Sequence, residues 1–144
     1  MNANFNVIKM KFSCALIIAL ASNSLKAYTV TPTKMTWSDA DNWCRNNDHG
    51  HLYIPTQATN MNAAGACPDT RCWVGIHRNQ NHGQTWVDVI FSDNHLLKWK
   101  AGQPDDFNHS PEGEACVEIY KTANDKGYIN DNLCSETMFG VCQQ

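Results

Sequence analysis

The chain has little of what marks catalysis, membrane insertion or nucleic-acid binding. No apolar run is long enough to span a bilayer, which argues against membrane insertion. The six histidines, His49, His51, His77, His82, His95 and His109, show no metal-ligand spacing, so they read as scattered surface residues rather than a zinc centre. No Ser/His/Asp arrangement stands out, and an enzyme is not expected. Basic residues are not in excess, with 11 Lys and Arg against 14 Asp and Glu, so nucleic acid and other polyanions are poor partners. No internal repeat, low-complexity tract or linker interrupts the chain after its first segment, and 144 residues are one domain's worth.

That first segment reads as a secretory leader. Lys9 and Lys11 form a basic region, and Phe12 to Ala21 is an apolar stretch of secretory length. Ala21, Ser24 and Ala27 all offer cleavage points, with Ala27 favoured because Tyr28 begins a β-like segment. Residues 1–27 are therefore expected to be a signal peptide, and residues 28–144 the secreted domain. Cleavage there removes three lysines and no acid, leaving eight Lys and Arg against fourteen Asp and Glu, net −6. It also removes Cys14. The six remaining cysteines, Cys44, Cys67, Cys72, Cys116, Cys134 and Cys142, form an even set suited to three disulfides in an oxidising compartment. Six cysteines allow about fifteen pairings, which spacing alone does not resolve. None is left over for an interchain bond.

Local patterns give an α+β order, helices first and sheet later. Tyr28-Thr29-Val30-Thr31 reads as a strand stopped by Pro32. Thr36 or Ser38 can cap a helix through Ala40, Trp43 and Cys44, with Asp39 and Asp41 near its positive end. A second, short helix is expected from near Thr56 to Gly65 or Pro68. Strands are expected at Trp73-Val74-Gly75-Ile76, Thr85-Trp86-Val87, Cys116-Val117-Glu118-Ile119-Tyr120 and Phe139-Gly140-Val141-Cys142. The loop from Lys100 to Glu114, rich in Gly, Pro, Asp and Asn, has the length of a functional loop.

Chemistry concentrates in and after that loop. Gln103 and Asp105 flank Pro104, Glu114 stands just before Cys116, and Asn130-Asp131 just before Cys134. These are five oxygen-bearing side chains without a soft ligand. Such a set suits Ca²⁺, a hard cation that takes about six to eight oxygens.

Beyond these residues the mature chain resembles the C-type lectin domain, in its short form, over residues 28–142. Trp73-Val74-Gly75-Ile76 is similar to the core strand of that family, Trp99 precedes the ligand loop as it does there, and Cys116, Cys134 and Cys142 keep the family's terminal spacing. The resemblance implies two helices flanking small antiparallel sheets with a long calcium loop, and disulfides Cys44–Cys142, Cys116–Cys134 and Cys67–Cys72. It implies one calcium held by Gln103, Asp105, Glu114, Asn130 and Asp131, with a cis bond before Pro104 turning Gln103 and Asp105 toward one ion.

Gln-Pro-Asp is similar to the galactose-type site rather than the mannose type. The resemblance implies that two sugar hydroxyls complete the shell, with Gln103 and Asn130 donating to them and Asp105 and Glu114 accepting from them. Phe107 stands where galactose-type relatives often carry Trp. It either supplies contact to the sugar's apolar face or anchors the loop into the core.

The chain departs from the family pattern in several places. Ile129 replaces a Trp before Asn130-Asp131. The positions around Arg78, His82 and Ala115 carry no carboxylate for an auxiliary ion, so one calcium is expected. Asn108-His109-Ser110 is a glycosylation sequon, read as unused because Pro111 follows it and a glycan there would crowd the site. Asp106 is either a support for the ligands or an exposed loop acid. The expected function is a secreted lectin for galactose or N-acetylgalactosamine on glycoproteins or cell surfaces, presented as a noncovalent homodimer. The alternative on this fold is an ice-binding or protein-recognition module. Neither a regular Thr-rich face nor the cysteine number usual for ice-binding forms is evident.

Overall fold

The computed structural model describes residues 28–56, 60–79, 85–89, 97–107 and 113–144. The leader, the helix start after Thr56, the sequon and His82, His95 and His109 lie outside them. Strand β1 (Tyr28–Val30) is followed by helix α1 (Trp37–Asn46), β2 (His51–Leu52), helix α2 (Asn60–Ala66), β3 (Arg71–Asn79), β4 (Thr85–Asp88), β5 (Cys116–Tyr120), β6 (Ile129–Asn132) and β7 (Val141–Gln143). Two antiparallel sheets result, one ordered β1-β7-β2 and the other β4-β3-β5-β6.

Helix α1 starts where its cap chemistry directs. Of the two candidates, Thr36 is the cap: its Oγ1 accepts from the Asp39 N–H at 3.3 Å. Asp39 lies in the first turn and Arg45 in the last, both favourable to the helix dipole. Asp41 serves differently from its expected role at the helix end. It is buried, pairs with Arg45 at 2.7 Å and accepts the Leu52 N–H at 3.0 Å, tying α1 to β2. Ala40 and Cys44, four residues apart on one face, are buried in the same packing.

Trp73 and Trp37 join the layers, because each indole N–H has a backbone carbonyl to reach: Trp37 donates to Val74 at 2.7 Å, and Trp73 to Met35 at 3.0 Å. Gly75 lies where β3 meets the backbone after β2. A Cβ there would sit 2.5 Å from the Leu52 carbonyl, so only glycine fits. Cys44–Cys142, Cys67–Cys72 and Cys116–Cys134 are all bonded, as the resemblance implied.

The expected strands are present, β5 with the bounds expected and the others with shifted ends. The third is longer, Arg71–Asn79, and carries a register shift between Val74 and His77 against β5. The last begins at Val141 rather than Phe139. Two strands were not foreseen. Strand β2 is only two residues long, and β6 reads Ile-Asn-Asp-Asn with no hydrophobic alternation. Ile129, in place of the family's Trp, is fully buried in the core with Trp99 packed against that cluster. No described helix is long and apolar enough to cross a membrane.

Candidate metal centre

The site is assembled at the β6 edge of the four-stranded sheet. Asn130 and Asp131 lie on β6, Glu114 stands two residues before β5, and β5 pairs with β6. The Cys116–Cys134 disulfide fastens the start of β5 to the chain just after β6. The segment carrying Gln103 and Asp105 is docked on the same edge: the Lys100 N–H donates to the Ile129 carbonyl at 2.9 Å, and the Ile129 N–H to Lys98 at 3.0 Å. The Gln103–Pro104 peptide is cis.

One carboxylate oxygen from each of Asp105, Glu114 and Asp131 lies within 4.8 Å of the others. Their environments differ. Asp131 is fully buried and Glu114 nearly so, whereas Asp105 is exposed. Asp131 accepts backbone N–H groups from Asp105 at 3.3 Å and Asp106 at 3.0 Å, which draws the loop over it. Glu114 accepts the Phe107 N–H at 3.0 Å. Gln103 Oε1 accepts the Asp105 N–H at 3.2 Å.

Asp106 is a support rather than an idle loop acid. Its φ of 50° turns the chain, one carboxylate oxygen accepts the Glu114 N–H at 2.7 Å, and the other faces Arg78 Nη1 at 3.3 Å. Arg78, also 3.8 Å from Asp131 and 5.0 Å from the Trp86 ring, is the cation that offsets this crowding of negative charge. Phe107 is 75% exposed, so it does not anchor the loop into the core. Arg78 was read from the sequence only as a missing carboxylate, since nothing local indicates that it faces Asp106, 28 positions away.

The donor set fits a hard cation. Three carboxylates this close repel one another, and an ion of charge +2 would relieve that repulsion. Asn130 gives a second, independent sign. Its Nδ2 donates to Glu118 Oε1 at 3.2 Å and to the Asp131 carbonyl at 2.6 Å, while its Oδ1 is buried without a hydrogen-bond partner. A buried acceptor left unpaired is unfavourable, and a cation is the kind of group that would use it. Glu118 was legible only as a strand residue, because its two amide partners, Asn130 and Asn132, lie on the unforeseen β6.

Comparison with known proteins agrees with this architecture. Residues 33–144 match the family described as Lectin C-type domain. The chain is 30% identical over 119 residues to asialoglycoprotein receptor 1 of Pongo abelii, covering 81% of this chain and 39% of that protein. It is 39% identical over 74 residues to C-type isolectin Sp-CL4 of Scorpaena plumieri, covering 50% of this chain and 44% of the relative. The chain thus spans less than half the length of these relatives.

Among solved structures, the human scavenger receptor C-type lectin carbohydrate-recognition domain shares the fold with a TM-score of 0.70 at 24% identity, covering 83% of this chain and 90% of that one. A calcium-independent type II antifreeze protein shares it with a TM-score of 0.66 at 19% identity, covering 81% and 76%. With the fold, the three disulfides and the match over residues 33–144 in agreement, the chain belongs to the C-type lectin domain family, whose members generally bind Ca²⁺.

Proposed function

We propose that this domain is a secreted, calcium-dependent lectin for galactose or N-acetylgalactosamine, without enzymatic activity. The observation that carries the proposal is the cluster of Asp105, Glu114 and Asp131 beside Gln103 and the unpaired Asn130 oxygen. These five residues would hold one Ca²⁺, which supplies open coordination positions for two adjacent sugar hydroxyls. The protein's part is to orient those hydroxyls. Asp105 and Glu114 accept from them, and the Gln103 amide donates. Asn130 holds one N–H on Glu118 and shares the other, which faces the Asp131 carbonyl, with the sugar. Exposed Phe107 offers an aromatic face beside them, suited to the apolar face of galactose. Similarity to a relative named for asialoglycoproteins supports glycan recognition as the function.

Retention on immobilised galactose should require calcium and be lost in EGTA. The double variant Q103E/D105N exchanges amide and carboxylate around the same hydroxyls, so it should shift preference from galactose toward mannose by roughly tenfold or more. Calorimetry on both proteins, with both sugars in competition, checks this. Retention unchanged by EGTA would sink the calcium mechanism. A variant that binds calcium with an unaltered sugar ranking would place selectivity elsewhere. An antifreeze protein shares the fold, so an ice-recrystallisation assay belongs beside these measurements; inhibition without sugar binding would favour the ice-binding alternative.

A further inference from the structure

We infer that Glu118 is a positioning residue for the metal centre, fixing the orientation of the Asn130 amide so that its oxygen is the atom left for the cation; this rests on the calcium reading above. Glu118 is fully buried in β5, and the sheet register sets it directly opposite Asn130 on β6. Its Oε1 receives Asn130 Nδ2 at 3.2 Å and Arg71 Nη1 at 3.0 Å, and its Oε2 receives Asn132 Nδ2 at 2.9 Å. An ionised carboxylate only accepts hydrogen bonds, so the Asn130 amide has to present nitrogen to it. The reversed amide would put oxygen against Glu118 Oε1 and against the Asp131 carbonyl, two acceptors at once.

Of these two acceptors, the Asp131 carbonyl belongs to the residue that the proposed ion draws on. Glu118 is therefore the one that holds the amide when the site is loaded. A buried carboxylate contributes less to packing than an apolar residue of its size, so its presence in the strand calls for a role of this kind. Arg71, half-exposed at the end of that network, is the countercharge of Glu118 and shares its Oε1 with the Asn130 amide. Groups that orient a metal ligand from behind typically alter affinity by about 10–100-fold when removed.

The test is calcium affinity by calorimetry on the intact domain, with thermal unfolding measured in EGTA. Glu118→Met removes the acceptor and should weaken calcium binding about tenfold or more. Glu118→Gln keeps an oxygen that Arg71 draws to the Asn130 side, so it should stay within a few-fold of the parent. Asn132→Val disturbs the same buried carboxylate without touching Asn130; it should lower the unfolding temperature while leaving calcium affinity within about twofold, since it removes no orienting contact to the ligand. Calcium affinity unchanged in Glu118→Met, or equally reduced in Asn132→Val, overturns the inference.

If Glu118→Met does not fold, NMR of the parent decides. One Asn130 side-chain N–H should stay protected from exchange both in EGTA and in calcium, and rapid exchange of both with calcium bound overturns the inference. A parent protein that binds no calcium removes the proposed function and this inference together. A parent that binds calcium as tightly as Glu118→Met does removes the inference alone.

Discussion

At the residue scale, burial sets the chemistry of individual groups. His77 on β3 packs against Trp37, with ring centroids 5.1 Å apart. Desolvation there pushes its imidazole below the ordinary 6.5, against weaker opposing pulls from Asp41 and Asp88. The sign follows from linkage. The unfolded chain takes up a proton near the ordinary value while the folded chain resists it, so this contribution to stability is complete above about 6.5 and is lost as pH falls below it. In EGTA, the unfolding temperature should therefore fall between roughly pH 7 and pH 5.5, and His77→Gln should flatten that decline. An identical slope in the variant would show that other groups carry it. His77 stands in the sequence as one histidine of six, and its special position was not legible, because nothing local indicates that Trp37 covers it.

At the element scale, legibility follows how local the cause is. Helix α1 was readable because its cap lies three residues from the N–H it satisfies, and the Thr36 hydroxyl also donates to Asp39 at 2.7 Å. Thr36→Ala should destabilise the domain by about 1 kcal/mol and Thr36→Ser by much less, as read by urea denaturation. No loss in the alanine variant would mean that tertiary contacts alone hold the helix. Strand β6 is the opposite case. Its Ile-Asn-Asp-Asn has low strand propensity, and it forms because β5 offers a ladder and the core takes Ile129. The ligand-bearing strand was thus the least visible element in the sequence.

At the scale of the whole molecule, the disulfides compensate for a modest core. Cys44–Cys142 joins α1 to β7 across a separation of 98 residues, while Cys67–Cys72 spans only 5. Loop-closure entropy then assigns about 4–5 kcal/mol to the first and about 2 kcal/mol to the second. Replacing both cysteines of each pair by alanine should reproduce that order in denaturant midpoints at unchanged calcium concentration. An equal loss from the two pairs would mean that native-state contacts, rather than constraint of the unfolded chain, dominate. The site itself depends on this framework, because Cys116–Cys134 fastens the start of β5, two residues after Glu114, to the chain just after β6, which carries Asn130 and Asp131.

The sequence by itself determined the α+β class, the six cysteines after residue 27, the capped first helix and the type of ion the oxygen-bearing residues suit. Those properties belong to composition and to neighbours a few positions apart. Only the tertiary structure decided that Asp106 faces Arg78, that Phe107 is exposed, and that Glu118 receives the Asn130 amide. These relations join residues 12 to 28 positions apart, or depend on what the fold leaves uncovered. Strand pairing and burial create them, and neither is encoded in the residues nearest each group.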